Sequence, residues 1–552
     1  MSAVGAPRRT VVVGGVAAGM SAATRLRRND EHRHIVVLER GTHVSFANCG
    51  LPYHVGGVIQ ERDDLLLQTP ASLAARFRLD VRTRHEVVAL DRTRRVVVVR
   101  ALETGEEYEE PYDDLVLATG ARAVRPSIPG VERAHTLRDL DDMDAILAAL
   151  GGGDRAGART AVVVGAGFIG IELAENLVRR GLAVTLVERE PQVLPPLDPE
   201  MAAVVDQRLR ESGVAVRTRA AVVRIDDTTA TLDDGTTLPA DVVVTAVGVV
   251  PESALAERAA LEVGERGGIV VDEQQRTSDP SVYAVGDVAV KRDALSGGAT
   301  LVPLAQTANR QGRLVADVVS GRDVSATPVL GTAVVGAFGL TAAMVGWSEK
   351  RLRAAERPVR VVHTHPSDHA GYYPGARAMA LKLLVDPETD AILGAQGVGE
   401  SGVDKRIDVI ATAMRGGLRA SELADLELAY APQYGSAKDP VNMLGMVADN
   451  LAAGITDSVQ WHEVDRAMRD GATVVDVRTP GEYASGTLPG AVNLPLDELR
   501  IRHAELPSGR LVVTCAVGQR GHAATRLLRQ LGRTDVVNLD GGYRTWKQAV
   551  GV

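Results

Sequence analysis

Cys49 and Cys515 are the only cysteines of this chain, and each lies among small and polar residues rather than in an apolar run. A free cysteine is most often a small buried hydrophobe, so this setting argues for thiols kept for chemistry. Around the first the order is Ser45-Phe46-Ala47-Asn48-Cys49-Gly50-Leu51-Pro52, an irregular polar turn. No second cysteine is near enough to close a local redox disulfide, so the sulfur that pairs with Cys49 comes from elsewhere. The second follows the apolar Leu511-Val512-Val513-Thr514 and opens Cys515-Ala516-Val517-Gly518-Gln519-Arg520, with a helix expected over residues 521–531. A cysteine at a strand end, ringed by successive N–H groups and a helix N-terminus, suits an anionic sulfur, and Arg520 adds positive charge at the rim.

The elements that must position Cys49 begin just upstream. Thr10 to Val13 reads as a buried parallel strand, Gly14-Gly15-Val16-Ala17-Ala18-Gly19 as a turn, Met20 to Arg28 as a helix and Ile35 to Leu38 as a second strand ending in Glu39. This is a Rossmann unit: the turn sets backbone N–H groups against a pyrophosphate, and the terminal acid binds a ribose hydroxyl. Val16 stands where the fingerprint has its middle glycine. The unit recurs intact, with strand Thr160 to Val164, Gly165-Ala166-Gly167-Phe168-Ile169-Gly170, a helix through Arg180, and Val184 to Val187 ending in Glu188. Two units imply two dinucleotides. Between them Leu115 to Gly120 runs into a tight Ala118-Thr119-Gly120 turn, and Val282-Tyr283-Ala284-Val285-Gly286-Asp287 delivers an aspartate that can reach a flavin's ribityl hydroxyls.

Composition bounds the rest. A chain of 552 residues holds three or four domains of about 150 residues each. A net charge of −9 without a basic tail argues against nucleic acid or an anionic membrane as partner. So few cysteines exclude a disulfide scaffold and fit a reducing cytoplasm. Arg8-Arg9 followed by Val11-Val12-Val13 imitates a signal peptide, but Gly14, Gly15 and Gly19 interrupt the apolar stretch. No run approaches the ~18 apolar residues of a membrane span.

Both fingerprints, the Ala-Thr-Gly turn and the Tyr-Ala-Val-Gly-Asp segment resemble the two-dinucleotide flavoprotein disulfide reductases over residues 1 to about 450. Within them, Ser45 to Pro52 closely resembles the single-cysteine coenzyme A disulfide reductases, which also lack the middle glycine. Residues 455–552, with Asp476-Val477-Arg478, Leu488-Pro489-Gly490-Ala491 and the Cys515–Arg520 loop, resemble a rhodanese domain. Its six-residue loop fits a persulfide, one residue shorter than the loop with which related phosphatases hold phosphate. Leu488 stands where a histidine is usual, and Asp476 with Arg478 is expected to brace the loop's base. The implied fold class is α/β: a Rossmann-like FAD-binding domain (1–115 and 255–325), a Rossmann-like NAD(P)H-binding domain (116–254), an α+β dimerisation domain (326–450) and the α/β rhodanese domain (455–552).

The resemblance implies that Gly14, Gly15, Val16, Ala17, Ala18, Gly19, Glu39, Arg40, Thr119, Gly120 and Asp287 hold FAD, and that Gly165, Gly167, Gly170 and Glu188 hold the nicotinamide nucleotide. A carboxylate at Glu188 repels a 2′-phosphate, so NADH is expected over NADPH. Cys49 is the expected redox cysteine, its thiolate favoured by the flavin and nearby backbone dipoles. Tyr372 and Tyr430 are expected to assist from the partner subunit of a homodimer, with Tyr373 or Tyr434 as substitutes. Ser45, Asn48, Arg25, Arg28 and Lys438 are the expected contacts to coenzyme A, as substrate or bound ligand; cationic forks suit its phosphates. His363, His365 and His369 lack the companions of a zinc site, and no metal is expected. The implied activity is reduction of a small disulfide, persulfide or polysulfide, with the rhodanese domain handling sulfane sulfur. A peroxidase or oxidase using a Cys49 sulfenic acid is the alternative enzyme, disfavoured because those relatives carry a histidine where this chain has Ala17. A non-enzymatic redox sensor or sulfur carrier is the third class.

Overall fold

The computed structural model describes residues 7–151 and 157–551. They form two compact units, one of residues up to Val187 with Ala220–Val329, the other of Glu188–Arg219 with Leu330 onward. No helix among the described residues is long and apolar enough to cross a membrane.

In the first unit the strand Arg9–Val13 is central to a parallel sheet, with His34–Glu39 on one side, Asp114–Leu117 on the other, and Asp80–Thr83 and Val282–Ala284 at the edges. Val11, Val12, Val36 and Val37 are almost wholly buried, as expected of parallel strands covered on both faces. The covering helix Ala17–Asn29 packs on the helix Ala305–Val319. A second parallel sheet centres on Thr160–Val164, paired with Ala183–Glu188 and with Val242–Thr245. The unit also holds two three-stranded antiparallel sheets, His85–Asp91 with Val96–Ala101 and Glu107–Pro111, and Val222–Ile225 with Thr229–Leu232 and Thr237–Pro239, and two two-stranded ones, Ala121–Ala123 with Val249–Pro251 and Lys291–Arg292 with Ala299–Thr300.

The second unit holds an antiparallel sheet in the order Ala333–Ala337, Leu340–Gly346, Ile392–Gly399, Met379–Val385, Arg360–Thr364. The helices Val403–Gly416 and Pro440–Ala452 bury Ile407, Ile410, Val441 and Leu444 against it. The helix Pro440–Ala452 begins in a capping box of Asp439 with Asn442, and just beyond its end the Ile455 N–H donates to Asn450 O at 2.9 Å. A parallel sheet follows, ordered Ser458–Val459, Val536–Leu539, Leu511–Thr514, Thr473–Asp476, Val492–Asn493. Leu488 is fully buried in its core, so the position without the usual histidine is a packing position.

One buried charge cluster lies in the second unit. The Lys382 ammonium, fully buried, is 2.9 Å from Asp198, 2.5 Å from Glu200 and 2.7 Å from Glu349. These carboxylates are close enough to one another to hold a metal ion, but the ammonium stands among them. Lys382→Met is expected to destabilise this unit by ~3–5 kcal/mol, because Asp198 loses its ion pair in the interior while Glu200 and Glu349 keep only His363 and Arg353. Thermal unfolding compared with the wild type checks this; an unchanged transition would contradict it.

Candidate functional site

The two glycine turns share one geometry. Gly14 and Gly165 have φ +103°, and a Cβ on Gly19 or Gly170 would stand 1.9 Å from the carbonyl oxygen of Gly14 or Gly165. These glycines are required by the chain's own packing. Gly167 differs: nothing lies within 4 Å of where its Cβ would be, so no protein contact demands glycine there. A phosphate lying against the turn does demand it, and the second turn therefore fits a dinucleotide. In the first turn Val16 occupies that place, just before the helix Ala17–Asn29.

A cleft of about 320 Å³ opens beside the first turn, lined by residues 13–16, Glu39, Arg40, Asn48, residues 118–121 and Arg138. Glu39 accepts from the N–H groups of Gly15 and Gly41, both at 2.7 Å, which orients its carboxylate at the end of its strand. Thr119 Oγ1 donates to Glu252 O at 2.8 Å, and Gly120 takes φ +70°. Arg40 is exposed, 3.8 Å from Glu86. Asp287 follows its strand in the short helical turn Gly286–Val288 and pairs at 2.9 Å with Arg138. The glycine turn, Glu39 and Asp287 thus fit a flavin dinucleotide.

Cys49 lies in the turn Asn48–Gly50, which leads into the helix Leu51–Val55. The Ser45 N–H donates to Gly15 O at 2.8 Å, tying the cysteine segment to the glycine turn; Ser45 itself takes φ +50°. Cys49 is exposed, yet the protein around its sulfur withdraws water. Desolvation first, then the Glu172 carboxylate, push the thiol up; Arg138 acts the other way and Asp287 adds to the rise. The chain's own groups therefore oppose the thiolate that the sequence reading favours. Glu172 is itself raised, chiefly by burial, and accepts from the Tyr53 hydroxyl at 2.9 Å.

Arg138, Glu172 and Tyr53 are residues the sequence reading missed. Tyr53 follows Cys49 by four positions and Glu172 follows Phe168 by four, so an acid one helical turn beyond a glycine turn was the available signal. Nothing local marks Arg138. Lys291 was also missed: buried four residues past Asp287, it donates to Gly286 O at 2.6 Å and Ala289 O at 2.9 Å, bracing the turn that presents Asp287.

The expected coenzyme A contacts divide. Asn48 lines the cleft. Arg28 is exposed. Arg25 is engaged within the fold, in a two-point ion pair with Asp317 at 2.9 and 3.2 Å. In the second unit Lys438 is exposed beside the buried Asp439, which Arg406 holds at 3.0 Å. Tyr372 and Tyr430, 58 residues apart, place their hydroxyls 2.8 Å from each other, and both rings are exposed. Tyr373 and Tyr434 are exposed as well. Glu188 ends the strand Ala183–Glu188 and accepts from the Glu190 N–H at 2.9 Å.

Cys515 is fully buried at the end of Leu511–Thr514. Its carbonyl accepts from the Tyr543 N–H at 2.8 Å, and Ala516 O from Arg544 N–H at 3.0 Å. Gly518, at φ +90°, turns the loop into the helix Gln519–Gln530. Arg520 forks onto Glu482 at 2.6 and 2.8 Å, and this ion pair holds the Glu482 carboxyl down at about 2. Asp476 and Arg478 form a buried pair; Thr487 Oγ1 donates to Asp476 and Arg478 donates to Gly486 O, so the bonds of this pair run to residues 486–487.

Residues 8–312 match the pyridine nucleotide-disulphide oxidoreductase family, residues 332–440 the dimerisation domain of the same family, and residues 460–549 the rhodanese-like domain. The chain belongs to the pyridine nucleotide-disulphide oxidoreductases, which implies FAD and NAD(P)H as cofactors. It is 36% identical over 445 residues to the coenzyme A disulfide reductase of Staphylococcus haemolyticus, covering 80% of this chain and all of that protein. The crystal structure of reduced Bacillus anthracis CoADR-RHD superposes with a TM-score of 0.97 at 45% identity, over 99% of this chain and 98% of the other. An NAD-dependent persulfide reductase from A. fulgidus follows with 0.91 at 38%, over 98% and 100%. These likenesses make this an oxidoreductase of the coenzyme A disulfide reductase and persulfide reductase type, with a C-terminal rhodanese domain.

Proposed function

We propose that the protein reduces coenzyme A disulfide and coenzyme A persulfide with NADH, using Cys49 as its redox sulfur and Cys515 as a sulfane-sulfur carrier. The observation that carries this is the lone exposed Cys49, tied through Ser45 to the first glycine turn. FAD would be held at Glu39, Asp287 and residues 14–19, and would supply the two-electron chemistry between the reduced nicotinamide and the disulfide on Cys49. The protein's own part is sulfur exchange. The Cys49 thiolate attacks coenzyme A disulfide, an S–S bond to one coenzyme A forms, and the other coenzyme A leaves as thiolate. With a persulfide, attack on the inner sulfur forms the same mixed disulfide and releases HS⁻.

Burial first, then Glu172 and Asp287, hold the Cys49 thiol above its ordinary range against the opposing pull of Arg138, so the attacking thiolate is the minor form at neutral pH. The exposed Tyr372–Tyr430 pair and Lys438 lie in the part of the chain matching a dimerisation domain, and in a two-fold homodimer they serve the Cys49 of the other copy. There a phenol protonates the departing thiolate, and Lys438 with Arg28 meets the phosphates. Steady-state rates with coenzyme A disulfide, coenzyme A persulfide, polysulfide and peroxide test this reading. Peroxide as the fastest acceptor would replace it with a sulfenic-acid enzyme, for which Ala17 leaves the first turn without an imidazole.

Cofactor choice follows from Glu188. NADH is expected over NADPH by at least about tenfold in kcat/KM, or ~1.4 kcal/mol, because the carboxylate accepts from ribose hydroxyls and repels a 2′-phosphate. Equal efficiencies would remove Glu188 from the ribose site.

A further inference from the structure

His363, fully buried on the edge strand Arg360–Thr364, has a carboxylate on each ring nitrogen. Asp540 lies 2.7 Å from Nδ1 and also accepts the His363 backbone N–H at 2.9 Å, while Glu200 lies 3.0 Å from Nε2. A neutral imidazole has one N–H, so bonding both carboxylates requires the imidazolium. Gln460 Nε2 adds a donor to Asp540 at 3.2 Å. Just past the end of this strand, His365 meets Thr545 Oγ1 at 2.7 Å. Between these contacts Gly541 takes φ +67°, and a Cβ there would stand 2.1 Å from Thr545 Oγ1 and 2.9 Å from the His363 Cβ. The residues after Asp540 reach the sulfur site: Tyr543 and Arg544 donate to the carbonyls of Cys515 and Ala516, and a Cβ on Gly542 would lie 2.5 Å from Cys515 O.

We propose that His363 is a positioning residue of the Cys515 site: as a doubly paired imidazolium it docks the rhodanese domain on the dimerisation domain and fixes the 541–544 backbone on which the Cys515 loop hangs. This rests on the reading of Cys515 as a sulfur carrier. Lys382, 2.5 Å from Glu200, anchors the far end of the chain of charges. The rhodanese domain is then a docked wall, not a body swinging on residues 452–454.

The charged and titratable groups facing His363 are Asp540, Glu200 and Lys382, with His365 and Arg544 beyond them. Burial opposes the imidazolium, but the hydrogen bonds to Asp540 and Glu200 outweigh it and push the group up to about 9, with Lys382 opposing. His365, desolvated and beside Arg544 and His363, is pushed down to about 3 and stays neutral. Because the His363 value is raised above the ordinary ~6.5, its contribution to docking is complete below that pH and is lost as pH rises through about 9.

The test uses the full FAD-loaded protein and its H363Q, H363K and D540N variants. Hydrogen exchange of residues 540–545 reads docking, alkylation of Cys515 in a Cys49→Ser background reads the loop, and thiosulfate sulfurtransferase kcat/KM against pH reads function. In H363Q we expect exchange and alkylation at least tenfold faster, kcat/KM at least tenfold lower at pH 7, and loss of the wild-type decline approaching pH 9. H363K, which restores a buried cation, returns all three toward wild type without that decline, and coenzyme A disulfide reduction is unchanged throughout. Wild-type exchange, alkylation and pH profile in H363Q overturn the proposal. Should H363Q fail to fold, D540N breaks the same pair from the other side and is judged on the same readings. If the wild type transfers no sulfur, the carrier reading of Cys515 falls, while exchange and alkylation still decide the docking role.

Discussion

Cys49→Ser is expected to bind FAD and accept electrons from NADH at wild-type rates while losing coenzyme A disulfide turnover by several orders of magnitude. The cofactor cleft is built from the glycine turn, Glu39, residues 118–121 and Arg138, and none of these depends on the sulfur. The exchange step depends on it entirely, since a thiolate is the nucleophile and a serine hydroxyl is scarcely ionised near neutral pH. A thousandfold loss in kcat/KM corresponds to ~4 kcal/mol of lost transition-state stabilisation. Burial and Glu172 already hold the thiol up, so the wild-type rate should climb with pH as more thiolate forms. Flavin absorbance, stopped-flow reduction by NADH and steady-state turnover of the serine variant separate the steps. Turnover near the wild-type rate would mean that Cys49 is not the redox sulfur.

Cys515→Ser is expected to abolish thiosulfate sulfurtransferase activity while leaving coenzyme A disulfide reduction within about twofold of wild type. The loop closes at Gly518, rests on the 542–544 backbone, and carries Arg520 at its rim on Glu482; in the proposed reading it holds one sulfur and its charge. Serine keeps the loop's hydrogen bonds and removes the atom that carries sulfane sulfur. A covalent tether keeps the two sulfurs at about millimolar effective concentration if the geometry lets them meet. Persulfide turnover should therefore fall too if sulfur passes between Cys515 and the reductase. Unchanged rates with thiosulfate, persulfide and polysulfide donors would reduce the rhodanese domain to a structural appendage.

Short-range patterns in the sequence determined the elements and the candidate chemistry. The strand–turn–helix units at Arg9–Asn29 and Thr160–Arg179 are written in apolar runs broken by glycines, because a parallel strand buried on both faces and a tight turn each restrict residue type locally. Cys49, Cys515 and Asp287 stood out for the same reason, each being a reactive or charged residue at a strand end or turn. Only the tertiary structure decided which charges meet. Arg138 finds Asp287 across 149 residues, His363 finds Asp540 across 177, and Lys382 gathers Asp198, Glu200 and Glu349. Arg25, expected as a coenzyme A contact, is held by Asp317 from a helix 292 residues away. Such pairs leave no period in the sequence: an ion pair needs only two opposite charges brought within about 4 Å, and packing alone decides which distant residues those are.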